Sequence, residues 1–385
     1  MEGNIGKREV LVLRSLVLNS PCPKDELPVL FDLDFEQEHM EYPLLLGILG
    51  VKTDWSGFPP HIRNHLEGVY KAARLRNIYG VPWLISRCET LVDNDIPFLL
   101  LKGMAMRIYY APDIPRQMSD FDVAVPEDLY EKAKNCLIES DKLLRPGYES
   151  MHAVHLTAGE AKTIDLHRWI FKTHGDRYSE IWNRAICVTF QGINAKVLDP
   201  VDMFIHVIET KVRDDIRSIY PDRKVKWLMD AGLIVSRAKG WDWTAVADRA
   251  RRLGSENYIK RAITAFQTVF PELLTSEELK TLFPQDSKYH KWDKRVERYR
   301  RVNKEYNEVT RKYKGLTIKH VWSRVKYYWV SYHDYYGPEH REAGETTSFL
   351  AYLYKAKKVS GFTELIRSFI TNNTKTQNRK TDPRR

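Results

Sequence analysis

The tightest constraint on this chain lies in residues 116–125, "RQMSDFDVAV". Two aspartates, Asp120 and Asp122, stand one residue apart at the mouth of an apolar run, Val123-Ala124-Val125. That run has the length and composition of a buried strand. In a strand, residues i and i+2 point to the same side, so the two carboxylates are expected to project together. Like charges held that close repel, and one proton affinity must rise unless a cation sits between them. A divalent metal at the end of the sheet resolves this conflict. Hard carboxylate oxygens suit Mg²⁺.

The surrounding pattern supplies such a sheet. "IPFLLLKG" is a short apolar run closed by Lys102-Gly103 and reads as a first strand. "MAMRIYY" follows as a short helix, "APDIPRQMS" as a loop and "DFDVAV" as the second strand. "PEDLYEKAKNCLIES" is a helix with Pro126 and two acids at its start. "GYESMHAVHLT" and "TIDLHRWIF" read as two more strands. The fold class expected is therefore α/β (α+β). A small mixed β-sheet domain over 91–190 is preceded by helical segments in 1–90 and followed by an all-helical region. In the first ninety residues the helices read as short, and "PWLISRCETLVDND" reads as a separate helix with Pro82 near its start. "PVDMFIHVIETKV", "KVKWLMDAGLIVSRA", "DWTAVADRARRLG" and "NYIKRAITAFQTVF" are helices of a domain over 191–285.

Residues 286–385 stand apart in charge. They carry 24 Lys+Arg against 11 Asp+Glu, whereas residues 1–285 carry 37 against 40. All the excess positive charge lies in this last, aromatic-rich helical extension, which suits an anionic partner as well as a solvated helical surface. Its helix "KWDKRVERYRRVNKEYNEVTRKY" spaces Tyr299, Val302, Tyr306, Val309 and Tyr313 as a narrow apolar seam. "IKHVWSRVKYYWVSYHDYY" and "GFTELIRSFI" read as amphipathic helices that pack on the protein, hold RNA or lie on an anionic membrane surface. The final "TNNTKTQNRKTDPRR" reads as disordered.

No apolar run approaches the ~20 residues that span a bilayer. Arg14 interrupts the apolar part of the N-terminus, so no signal peptide is expected. Four scattered cysteines without a CxxC fit a reducing, cytoplasmic setting and neither a disulfide framework nor a zinc site.

A third carboxylate follows in "TIDLHRW": Asp165 is flanked by apolar residues in its own strand, and His167 falls on the same side. If the two strands are neighbours, three acids and an imidazole meet at one end of the sheet. His152 and His155 raise a zinc alternative, but strand parity separates them and the spacing fits no zinc template. His206 sits inside an apolar helix and reads as a core histidine. No Walker loop, dinucleotide fingerprint, GxSxG or Cys-His arrangement is present.

The set "LLLKG", "YY", "RQMSDFDVAV" and "IDLH", with "LDPVDMFIHV" and "VKWLMDAGLIV" in order downstream, resembles the uncharacterised nucleotidyltransferase family. This family belongs to the DNA polymerase β-type nucleotidyltransferase superfamily. The resemblance runs from about residue 30 to 285 and leaves out the basic tail. It implies that Asp120 and Asp122 ligate two Mg²⁺ ions and that Asp165 completes the site and helps deprotonate an acceptor hydroxyl. An NTP is the implied co-substrate, ATP among the possibilities. Lys102-Gly103 stands where the superfamily carries Gly-Ser, and suits phosphate binding. Arg116 and Ser119 are further phosphate candidates, Lys226 is placed to reach the β- or γ-phosphate, and His167 orients Asp165 or the acceptor. The expected reaction moves an NMP from an NTP to a hydroxyl and releases pyrophosphate. The acceptor is a small molecule or sugar, a peptide or protein, or an RNA 3′ end. The other readings are a non-catalytic nucleotide- or RNA-binding protein on the same fold and a kinase-like or sugar-transferring enzyme.

Overall fold

In the computed structural model the residues described are 5–20, 22–23, 25–31, 41–55, 57–150, 152–159, 162–171, 178–217 and 225–312, with six positions between 323 and 331. The helices α1 (Lys7–Val17), α2 (Leu27–Leu30), α3 (Glu41–Lys52) and α4 (Pro60–Asp93) come first. Strand β1 (Leu99–Leu100), helix α5 (Lys102–Ala105) with a 3₁₀ turn after it, and β2 (Phe121–Ala124) follow. Helix α6 (Tyr130–Ser140) leads into β3 (Arg145–Glu149), β4 (Ala153–Thr157) and β5 (Thr163–His167). Helix α7 (Tyr178–Arg184) and the strands β6 (Ile186–Phe190) and β7 (Ile193–Val197) complete the sheet. The helices α8 (Pro200–Arg217), α9 (Val225–Arg237), α10 (Trp243–Arg252), α11 (Glu256–Val269), α12 (Ser276–Leu282) and α13 (Ser287–Lys312) end the described order.

The seven strands form one mixed sheet in the order β3-β4-β5-β2-β1-β7-β6. Strand β2 runs parallel to β5 and antiparallel to β1, with Asp122 opposite Asp165 and Ala124 opposite His167. All four β2 residues are buried, as an apolar run at the centre of a covered sheet requires.

Two sequence expectations need correction, and one element was missed. "PWLISRCETLVDND" is not a separate helix starting near Pro82: α4 is a single 34-residue helix with Pro82 inside it. A proline removes one backbone donor, and the surrounding turns here carry the helix through that gap. The stretch "GYESMHAVHLT" is two strands, β3 and β4, paired antiparallel around Ser150. The hairpin β6–β7 was not anticipated, although its turn, Gln191 (φ 45°) and Gly192 (φ 91°), has the two left-handed residues that a tight hairpin needs.

Two compact units are present. The first comprises residues 1–214 and 221–286 and contains the whole sheet. In it α1, α3 and α9 pack together, and the aromatic core of the helical region centres on Phe204 of α8. The Phe204 ring lies 5.3 Å from Trp241, 5.3 Å from Trp243 and 5.7 Å from Phe266, edge to face in each case. The second unit comprises residues 215–220 and 287–385. There α13 buries Val296, Tyr299 and Val302, and Tyr306 stacks on Tyr327 with centroids 4.8 Å apart. The segments expected as amphipathic helices beyond α13, and the terminal polar stretch, lie almost wholly outside the described residues. Among the described residues no helix is long and apolar enough to cross a membrane.

Strand β3 forms one edge of the sheet, is exposed along its whole length and departs from regular register between Pro146 and Glu149. Phe204→Ala is expected to cost about 3–5 kcal/mol, because it empties the centre of a cluster that cannot collapse without moving three other rings. Denaturant unfolding monitored by tryptophan fluorescence would measure this.

Candidate active site

The end of the sheet at which β1 finishes and β2 and β5 begin collects most of the residues singled out in the sequence. Leu101 N donates to Asp122 O at 2.9 Å, which ties the end of β1 to β2. Parallel register then sets Asp122 beside Asp165 on the next strand. One ligand atom from each of Asp122, Asp165 and His167 falls within 4.8 Å of the others, a set able to hold a metal ion.

Asp122 is the buried centre of this group. Its Oδ1 lies 2.5 Å from Lys102 Nζ and 2.9 Å from His167 Nε2. Burial alone would raise its pKa, but the Lys102 ammonium and the His167 imidazole outweigh burial and hold the carboxyl below the ordinary range. Asp165 is half-exposed, and His155 Nδ1, directly across the β4–β5 ladder, lies 2.7 Å from its Oδ1. His155 was set aside with the zinc alternative. The signal that would have found it is the antiparallel register that places it opposite Asp165.

Asp120 departs from the parity argument. Strand β2 begins at Phe121, so Asp120 sits in the bend before it and is absent from the close ligand group. It still feels that group: burial first, then the charges of Asp122 and Asp165, push its pKa up. Ser119 Oγ donates to its Oδ1 at 3.0 Å. Three carboxylates against the single Lys102 ammonium leave an excess of negative charge, and a divalent cation fits such a donor set.

Lys102 opens α5 with φ 42°, a left-handed backbone that costs a non-glycine residue on the order of 1 kcal/mol. Gly103 beside it leaves no room for a side chain. An added Cβ would stand 2.7 Å from Met118 Cγ and 2.9 Å from Arg116 Nη1. The loop that leads into β2 therefore packs directly on this backbone.

Arg116 is not turned toward the acids. It is buried, and its Nη2 lies 2.5 Å from Asp230 Oδ2 on α9 while Nε reaches Asp230 Oδ1 at 3.3 Å. Tyr110 Oη donates to the same carboxylate at 2.7 Å, and Asn77 Nδ2 donates to Arg116 O at 3.2 Å. The phosphate role expected for Arg116 conflicts with this closed network, which instead braces the loop carrying Ser119 and Asp120. Lys226 lies one turn before Asp230 and is half-buried. Its backbone N–H donates to Glu41 Oε2 at 3.3 Å, but its ammonium makes no hydrogen bond or ion pair among the described residues. Burial, and then the nearby Arg116, lower its pKa. His206 is buried against Phe171 at 5.5 Å, and burial pushes its pKa down to about 3, as a neutral core histidine requires.

These environments predict opposite effects at the two paired acids. The folded-state pKa of Asp120 is raised, so the stability linked to it is complete below the unfolded value and declines as pH rises through the folded one. Asp120→Asn should raise Tm by about 1–3 °C at pH 7 in a chelator, with the gain fading toward pH ~4. The folded-state pKa of Asp122 is depressed, so its contribution is present at neutral pH and lost only in acid. Asp122→Asn should lower Tm at pH 7. Thermal melts across this pH range measure both. Asp230→Ala, which strands the buried Arg116, should cost about 3–5 kcal/mol in denaturant unfolding.

No curated protein matches the sequence. Among solved structures, the chain is similar to the antibiotic-resistance factor ANT(2″)-Ia in its solution structure. The identity is 12%, with 49% of this chain and 96% of that chain covered at a TM-score of 0.32, and a likeness of that size carries no argument. The sequence itself matches a protein family over residues 38–271, a span that holds the sheet, every acid of the site and the helices α8 to α11. The chain belongs to the uncharacterised nucleotidyltransferase family.

Proposed function

We propose that this protein moves an NMP from an NTP to an acceptor hydroxyl with release of pyrophosphate, using Mg²⁺ held by Asp120, Asp122 and Asp165. The observation that carries this reading is the convergence of those carboxylates at one end of the sheet, with Asp122 and Asp165 in parallel register and the pKa of Asp120 raised by burial and then by both. When bound, the cation, two ions in the expected arrangement, would neutralise phosphate charge and supply Lewis acidity.

The chain's own residues do the rest. Asp122 is fixed by Leu101 N through its backbone and by Lys102 and His167 through its carboxylate, so it enters the reaction ionised and oriented. The acceptor oxygen forms a bond to the α-phosphorus, the bond from that phosphorus to the β-bridging oxygen breaks, and pyrophosphate leaves with the electron pair. The hydroxyl proton passes toward the Asp165 carboxylate, which His155 holds at 2.7 Å. The Lys226 ammonium, which makes no ion pair among the described residues, is available for the triphosphate. Most of the rate enhancement comes from positioning and charge neutralisation rather than covalent chemistry.

The test is label transfer in cell extract and total RNA with Mg²⁺ and each NTP, labelled at the α- or the γ-phosphate. Label is expected from the α-position only, reduced at least ~10²-fold in Asp122→Asn and Asp165→Asn. Label from the γ-position would indicate a kinase, and NTP binding without any label would indicate a binding protein.

A further inference from the structure

Lys102 presents a contradiction that the proposed reaction does not resolve. Its backbone is in the left-handed region, where glycine is the favoured residue. A glycine there would relieve the strain, yet the chain keeps a lysine and sets its ammonium 2.5 Å from Asp122 Oδ1. That oxygen also faces His167 Nε2 at 2.9 Å. Asp122 is buried and belongs to the group able to hold a metal ion, with Asp165 and His167.

An ammonium and a divalent ion repel, and they seek the same oxygen. The Lys102 side chain keeps about 30% of its exposure, so its flexible stem has a way outward. A bound triphosphate offers that ammonium a stronger anionic partner than Asp122 alone.

We propose that Lys102 is a built-in counter-ion that competes with the divalent cation for Asp122, so that cation and nucleotide bind cooperatively and the cation binds weakly by itself. This rests on the proposed nucleotidyl transfer and adds a role in coupling two ligands. Linkage makes the coupling reciprocal: whatever factor the nucleotide adds to cation affinity, the cation adds to nucleotide affinity.

The probe is Mn²⁺, titrated calorimetrically into the full chain with and without the α,β-methylene analogue of each NTP in turn. Wild type is expected to bind Mn²⁺ weakly alone and at least ~10-fold more tightly with the accepted analogue. Lys102→Met keeps the stem without the charge. It should bind Mn²⁺ at least ~10-fold more tightly than wild type without nucleotide, and the nucleotide effect should shrink accordingly. Lys102→Arg should resemble wild type, and Asp122→Asn should lose the site. If the methionine variant is unfolded by circular dichroism, Lys102→Gln and Lys102→Gly are read in the same way. A neutral variant that binds Mn²⁺ no more tightly than wild type, or that retains the full nucleotide effect, overturns the proposal. Retained α-label transfer with uncoupled ligands would overturn this inference alone. Coupled binding without label transfer would overturn the reaction and leave the coupling standing.

Discussion

The repulsion among carboxylates at one end of the sheet is the constraint to which the rest of this fold answers. Parallel pairing of β2 with β5 fixes Asp122 beside Asp165, and the bend before β2 keeps Asp120 within range of both charges. Left alone, such a group would push β2 and β5 apart or take up protons. The chain meets it with one ammonium and one imidazole on a single oxygen of Asp122. The balance is incomplete, and the proposed binding of a polyanion through a cation needs it to be incomplete. The excess charge at Asp120 is a local cost held in place by the stability of the surrounding sheet.

That sheet end is rigid because its supports come from far away in the chain. The loop before β2 has little regular structure, yet it is held by Asn77 of α4, by Gly103 of α5 and by Asp230 of α9. Arg116 is the piece on which these supports converge. Its guanidinium shares Asp230 with Tyr110, so the end of the 3₁₀ turn after α5, the loop and α9 are tied together. The positions of Ser119 and Asp120 thus depend on a helix more than a hundred residues downstream. A buried, hydrogen-bonded pair of this kind specifies geometry more than it adds stability.

How much of this the sequence disclosed follows the range of each interaction. The acid pair, the strand behind it, Asp165 and His167 were legible because each rests on local periodicity and on spacing within one strand. The helices α8 to α11 were legible from amphipathic patterning. Arg116 suits a phosphate ligand by its place four residues ahead of the acid pair, whereas its ion-pair partner, Asp230, is 114 residues away. No local pattern records that pairing. Asp120 shows the limit of parity reasoning: the alternation holds only inside the strand, and β2 starts one residue later. Pro82 was taken as a helix start because a proline at that position is well tolerated, but a 34-residue helix can absorb one missing donor in its interior. The β6–β7 hairpin was within reach, since Gln191-Gly192 between two alternating runs is a turn signal.

The edge strand β3 bears on a different property, the behaviour of the protein at high concentration. An exposed sheet edge offers unpaired backbone groups to any neighbouring chain and is a seed for fibrous assembly. Here Pro146 has no N–H to offer, and the irregular register up to Glu149 breaks the regular repeat another strand would have to match. Arg145 and Glu149 place a charge at each end of the strand. At this edge of the seven-stranded sheet, these features disfavour the joining of a second sheet.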